Sequence, residues 1–93
     1  MEFEWDLSKE TQNLLKHGIA FSKAVECFYD PHGILLEDSK HSGSEKRLYW
    51  IGTTTAGRVL TTRFTRRNGK IRIIGCAEWR KFRRMYHETA QNQ

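Results

Sequence analysis

Arginine is missing from the first half of this chain, and carboxylates are nearly missing from the second. All nine arginines lie beyond residue 46, where only Glu78 and Glu88 oppose them. Residues 1–45 carry four lysines against nine Asp or Glu, a net −5; residues 46–93 carry twelve Lys or Arg against two carboxylates, a net +10. Cysteine is scarce too. Cys27 and Cys76 are far apart and form no C-x-x-C, which excludes a disulfide framework and a zinc knuckle and suits small buried apolar residues. The four histidines show no metal-ligand spacing. His32, Asp38 and His41 can be drawn together as ligands, but nothing local requires it, so no metal and no cofactor is expected. Apolar runs such as Ile34-Leu35-Leu36 fall far short of the ~20 residues that span a membrane. The opening Met-Glu-Phe-Glu is acidic and lacks an apolar signal region, so a cytoplasmic protein without membrane contact is expected.

What is present is a short chain with a basic half. Ninety-three residues suit one small domain over 1–93, with one core and an open groove rather than an enclosed pocket. Arginine offers a planar fork of donors that matches phosphate, so the basic half points to nucleic acid; a merely solvated basic surface is the plainer alternative.

Phe3 and Trp5 alternate with Glu2, Glu4 and Asp6, the period of a short half-buried strand. Asp6 or Ser8 can cap a helix running to about His17 and stopped by Gly18, with Leu7, Thr11, Leu14 and Leu15 inward. Ser22 can cap a second short helix with Phe21, Ala24, Val25 and Phe28 inward, ended by Asp30-Pro31. Residues 34–36 read as a strand and 38–44 as a mobile polar loop. Strands are expected near 47–54, 58–67 and 70–77, and a helix near 78–89 with Trp79, Phe82 and Tyr86 on one stripe. Residues 90–93 are expected to fray. The fold class is α+β: a mostly antiparallel twisted sheet with two N-terminal helices and a C-terminal helix.

Asn68-Gly69 between alternating strands is a strong two-residue hairpin signal and fixes the register. Arg67 then faces Lys70, Arg66 faces Ile71, Thr65 faces Arg72 and Phe64 faces Ile73. One face carries Leu60, Thr62, Phe64, Ile71, Ile73 and Gly75 and is expected to pack on the helices. The other carries Arg63, Thr65, Arg67, Lys70 and Arg72, an exposed cationic floor with a hydroxyl in its middle. Like charges paired across a ladder weaken a sheet, so stability alone would not select this cluster, whereas an anionic ligand offsets the repulsion.

The motifs Phe3-Glu4-Trp5-Asp6, Asn13, Lys16-His17-Gly18, Phe21, Ala24 and Phe28-x-Asp30-Pro31 resemble the N-terminal half of the BrnT toxins. Asp38, His41-Ser42, Glu45-x-Arg47, Ile51-Gly52, Gly57-Arg58-x-Leu60, Thr65-x-Arg67 and Ile71-Arg72-Ile73-Ile74 carry the resemblance through the second half. The chain departs from many relatives in having Gly75-Cys76-Ala77 where they have Ser-Ala-Arg, and Arg66 where an acidic residue is frequent. The resemblance implies a RelE-like fold and the toxin of a type II toxin–antitoxin system, an endoribonuclease that blocks translation. It also implies a ribbon-helix-helix (BrnA-like) antitoxin as partner, RNA as substrate, and operator DNA met through the antitoxin complex.

Cleavage without a metal can use the RNA 2′-hydroxyl as nucleophile; the protein must align it, stabilise the extra phosphate charge and move two protons. Arg47, Arg67 and Arg72 are candidates for the phosphate clamp, and Thr65 for holding a phosphate oxygen. Histidine ordinarily titrates near neutral pH, which makes His17 the candidate for proton transfer; its place beside a helix end equally suits a dipole partner. Arg58, Arg63, Lys70, Arg80 and Tyr86 are candidates for binding RNA, Tyr86 sitting at a spacing that also suits the core. The alternative is a non-catalytic nucleic-acid and antitoxin-binding module acting in autoregulation of its operon.

Overall fold

The computed structural model describes residues 1–91. In chain order the elements are β1 (Phe3–Trp5), α1 (Leu7–His17), α2 (Phe21–Cys27), β2 (Ile34–Glu37), β3 (Leu48–Thr53), β4 (Val59–Arg67), β5 (Lys70–Ala77) and α3 (Arg80–Gln91). The strands form one sheet in the order β1-β5-β4-β3-β2. β1 runs parallel to β5 and every other pairing is antiparallel. Ala90 and Gln91, expected to fray, belong to α3, and the remaining residues of that expectation, 92 and 93, lie outside the described ones.

The hairpin forms with Asn68 and Gly69 both at positive φ (54° and 75°), the backbone that a two-residue turn between twisted strands demands. Its register is Arg67 to Lys70, Arg66 to Ile71, Thr65 to Arg72 and Phe64 to Ile73. Beyond Ile73 the alternation breaks. Arg63 pairs with Gly75, so Ile74 is an extra residue, a β-bulge. The bulge reverses the facing of the rest of β5. Gly75 joins the face of Arg63 rather than the apolar face expected for it, and Cys76 turns into the core opposite Thr62.

On the apolar face, Phe21, Ala24 and Cys27 of α2 and Ile19 pack on Leu60, Ile73 and Cys76, with Phe3, Trp5 and Trp50 around them. Phe28 stacks on Trp50 and meets Phe64 edge-on. Fully buried rings such as Phe21 and Phe64 each contribute about 1.5–3 kcal/mol. The helices are not all on this side. Val59 and Leu60 are neighbours on β4 and point oppositely, and Val59 packs with Ile51, Phe82, Met85 and Tyr86. α3 therefore covers one end of the face that carries the arginines, because β4 begins with two apolar residues, Val59 and Leu60, that point to opposite sides.

α1 corrects the sequence reading most sharply. Leu7 and Leu15 are 75 % and 84 % exposed and Leu14 is also exposed, whereas Asn13 is buried. β1 pairs only with residues 71–73, so the outer edge of β5 beyond it needs another partner. Asn13 supplies it. Its amide donates to the Cys76 and Ile19 carbonyls, and its carbonyl accepts the Cys76 N–H at 3.0 Å. The side chain replaces a missing strand, and this polar requirement outranks the burial of three leucines. α2 is also capped otherwise than expected: Ser22 lies inside it, and the carboxylate of Glu10 accepts the Phe21 N–H.

Candidate nucleic-acid interface

The register sets one transverse row of side chains on the α3 face. Glu4 pairs with Arg72, and Arg72 with Thr65. One step beyond Leu48–Phe64, Thr65 stands opposite Arg47, and Asp38 donates its N–H to the Arg47 carbonyl at 2.9 Å. Residues opposite each other share a face, so Glu4, Arg72 and Thr65 of β1, β5 and β4 run in line with Arg47, just before β3, and Asp38, just after β2. The neighbouring row holds Tyr49, Arg63 and Gly75. α1 forms a wall along these rows. A concavity of about 170 Å³ is lined by Lys9, Glu45, Arg47, Thr65, Arg67, Arg72 and Ile74. A second, of about 150 Å³, shares Lys9 and Ile74 and adds Gln12, Asn13, Lys16, His17 and Arg63. Together they form an open groove with six cationic side chains against the carboxylates of Glu4 and Glu45.

The floor is less bare than the charge count implies, because carboxylates from the acidic half reach into it. Arg67 donates to both oxygens of Glu45, from Nε at 3.1 Å and Nη2 at 3.0 Å. Arg72 donates to Glu4 at 2.8 Å, and Lys70 lies 3.8 Å from Glu2 at the hairpin tip. The hydrogen bonds from Arg67 hold the Glu45 carboxyl below its usual range, and Glu45 in turn pushes the Arg67 guanidinium up. Arg72 is only 28 % exposed. Thr65 is 2 % exposed, and its hydroxyl also helps to keep Glu45 ionised, yet no atom among the described residues completes a well-formed hydrogen bond to its Oγ1. An unpartnered buried hydroxyl between two arginines is costly unless a ligand uses it.

Of the residues singled out in the sequence, Arg47, Thr65, Arg67 and Arg72 line the first concavity, and His17 and Arg63 the second. Lys70 sits at the hairpin end of the same face. Three others fall elsewhere. Arg58 is bound to Glu78 at 2.6 Å at the opposite end of the hairpin. Arg80 is exposed at the start of α3 and lines neither concavity. Tyr86 is buried, and its hydroxyl donates to Asp30 at 2.5 Å, which leaves it no open face for a base to stack on. Asp30 ties the end of α2 to β3 and α3 at once, since it also accepts from the backbone and hydroxyl of Thr53.

Sequence reasoning missed Lys9, Lys16 and Gln12, which sit at helical spacing on one side of α1 and had a legible period. It also missed a hydrogen-bonded pair in the 38–44 segment, read as a mobile loop. The imidazole of His41 lies 2.8 Å and 3.1 Å from the two oxygens of Asp38. Ser42 donates to the Asp38 carbonyl and accepts the N–H of Arg47, so the segment is tied to the groove. Among the described residues no group of three or more His, Cys, Asp or Glu is placed to hold a metal ion. No helix there is long and apolar enough to cross a membrane.

Comparison with known proteins agrees with this architecture. Among curated proteins no sequence gives a significant match. The crystal structure of the Brucella abortus ribonuclease toxin BrnT shares the fold, with a TM-score of 0.63 at 19 % identity, covering 83 % of this chain and 94 % of that one. The family model described as ribonuclease toxin, BrnT, of type II toxin–antitoxin system matches residues 5–82, a span that contains every strand but the first two residues of β1 and every residue lining the groove. With sheet, bulge and groove inside the matched span, the chain belongs to the BrnT family of ribonuclease toxins of type II toxin–antitoxin systems.

Proposed function

We propose that the groove cleaves RNA by attack of the substrate's own 2′-hydroxyl, without a metal, and that Arg47, Arg67, Arg72 and Thr65 receive the scissile phosphate. The observation that carries this reading is the buried Thr65 hydroxyl, without a well-formed hydrogen bond, set between Arg47 and Arg72 in one row. Carboxylate and phosphate present similar oxygens to a guanidinium fork. Glu45 and Glu4 thus act as internal stand-ins that hold Arg67 and Arg72 in binding geometry until a phosphate displaces them. In the reaction the 2′-oxygen bonds to phosphorus as its proton leaves, and the bond to the 5′-oxygen breaks as that oxygen gains a proton. The products are a 2′,3′-cyclic phosphate and a 5′-hydroxyl. The guanidinia stabilise the extra charge on the five-coordinate phosphate, where they are worth most. Lys9, Lys16 and Arg63 guide the flanking backbone along α1.

The partner we infer is a ribbon-helix-helix antitoxin that masks the groove in the cytoplasm and brings the complex to operator DNA. The groove's excess of positive charge suits an acidic covering segment.

The test compares wild type with Arg72→Ala on RNA and on the same strand bearing a single 2′-deoxy nucleotide at the cut site, both in chelator. Wild type should cut RNA alone and leave cyclic ends. Arg72→Ala should lose roughly a hundredfold or more in rate. Its stability should change little, because Glu4, left without its arginine, remains near solvent. Cutting of the 2′-deoxy strand, or loss of all cutting in chelator, refutes the mechanism. RNA retention by a folded wild type that cuts nothing favours the binding module.

A further inference from the structure

His41, unlike His17, is held against a buried carboxylate by this structure. Asp38 is buried, at 7 % exposed, and stands at the β2 end of the row that holds Arg47, Thr65 and Arg72. Strands lie about 4.8 Å apart, so Asp38 is one spacing from Arg47 and about 10 Å from Thr65. The His41 side chain is 58 % exposed and meets Asp38 through Nδ1. A carboxylate only accepts, so Nδ1 carries the proton and Nε2, on the far side of the ring, is left as the acceptor. The Tyr49 hydroxyl, on β3, also faces Asp38. Burial works against ionisation of Asp38, but these hydrogen bonds outweigh it and hold the carboxyl below its usual range. Burial and the same contact push the Tyr49 hydroxyl up, and Arg63 of β4 opposes that shift. The charged or titrating groups around the pair are therefore Asp38, Tyr49 and Arg63, with Glu45 and Arg47 on the loop that Ser42 ties down.

His17 lacks this arrangement. It lines the second concavity, and among the described residues no carboxylate forms an ion pair with it.

We propose that His41, fixed by Asp38 at the end of the Arg47–Thr65–Arg72 row, exchanges the proton of the reacting RNA, with Asp38 and Tyr49 as positioning residues. In the base role Nε2 takes the 2′-hydroxyl proton as that oxygen bonds to phosphorus, and Asp38 stabilises the imidazolium that forms. In the reverse role the imidazolium gives the proton to the departing 5′-oxygen. The assignment rests on the reading of the groove as the cleavage site.

The experiment measures single-turnover cleavage against pH for wild type, His41→Gln, Asp38→Asn and His17→Gln. Binding is measured separately on RNA blocked by one 2′-deoxy nucleotide, and folding by thermal melts. His41→Gln should cut at least about a hundredfold more slowly, bind within about twofold of wild type, and lose the pH-dependent limb that a catalytic imidazole would give the wild-type profile. Free imidazole should restore part of the rate to His41→Gly, which a purely structural histidine would not allow. Asp38→Asn should shift that limb, and His17→Gln should leave it in place. A His41→Gln rate within threefold of wild type, with the same profile, overturns this assignment and leaves the groove reading intact. Loss of cleavage by His17→Gln with its limb, while His41→Gln is active, overturns it in favour of His17. A wild type that cuts no RNA removes both readings.

Discussion

Replacing Asn13 with alanine tests whether one polar side chain holds the groove together. The amide makes three hydrogen bonds, two to the backbone of Cys76 and one to Ile19, and all are buried. Without it the Cys76 N–H loses its acceptor, which costs about 1–3 kcal/mol for a buried donor. Two carbonyls each lose a donor, at about 0.5–1 kcal/mol apiece, since carbonyls tolerate under-satisfaction better. The sum is about 2–5 kcal/mol, a large part of the roughly 5–14 kcal/mol expected for a domain of this size. At about 4–8 °C per kcal/mol the midpoint should fall by at least ~8 °C. Urea unfolding followed by tryptophan fluorescence and thermal melting give the two readings. Asn13→Asp is the sharper comparison. It keeps an acceptor for the Cys76 N–H but turns a carboxylate toward two carbonyl oxygens, so it should be no more stable than alanine. Because Asn13 clamps β5 just past the bulge at Ile74, damage there should reach Arg63 and lower RNA affinity even at temperatures where the protein stays folded. A loss below about 1 kcal/mol, or Asp matching wild type, would refute the view that Asn13 stands in for a strand.

Gly75→Ala probes the other side of the bulge. A Cβ there would sit 3.1 Å from Nη2 of Arg63 and 3.5 Å from its Nε, so the guanidinium must shift while the backbone does not. Thermal stability should hold, since alanine costs less than glycine within a strand, while RNA binding weakens for all sequences and its salt slope falls by about one; unchanged binding would remove Arg63 from the interface. Acid should destabilise the fold. Burial works to raise the Asp30 carboxyl, but hydrogen bonds from Tyr86, His32 and Thr53 hold it below its usual range, and Asp38 is lowered too. A carboxyl lowered in the folded state adds stability that is full above its unfolded value, near about 4, and is lost as pH falls through its folded value. The melting midpoint should be flat from about pH 7 to 5 and fall below about pH 4, and a rise on acidification would contradict the sign.

Sequence alone revealed the hairpin because its information is local. Asn68-Gly69 sets the turn, the turn sets the register, and the register sorts Arg66 from Arg67 onto opposite faces. Family motifs carried the identification, since the charge pattern by itself favoured a nucleic-acid surface over a solvated face but pointed to no family. What sequence reasoning missed depended on pairings between distant residues. A leucine period along α1 looks like a core stripe, and nothing local says that β5 beyond residue 73 has a free edge that an asparagine must fill. The bulge was equally invisible, because Ile73, Ile74 and Gly75 read as a continuing strand until Cys76 is seen to point inward. His41 and Asp38 were legible as a metal possibility and as family motifs but not as a pair; their actual contact requires the turn that brings the 38–44 segment back against β3.

The split of charge along the chain now has a physical meaning. A floor of Arg67, Arg72 and Lys70 alone would repel itself across a two-strand ladder. The acidic half supplies one carboxylate to each: Glu45, Glu4 and Glu2 in turn. Exposed pairs of this kind contribute little to stability, from near zero to about 1 kcal/mol, so they are poor candidates for holding the fold. Their effect lies in geometry. A guanidinium already held by a carboxylate has less side-chain freedom to lose when a phosphate takes its place. Among the described residues Arg47 forms no ion pair with a carboxylate, and the row that joins it to Thr65 ends at Asp38, which holds the imidazole of His41. In the proposed reaction, exchange of carboxylate for phosphate at Arg67 and Arg72, beside an arginine that no carboxylate neutralises, would give RNA more to gain at this site than any internal acid does.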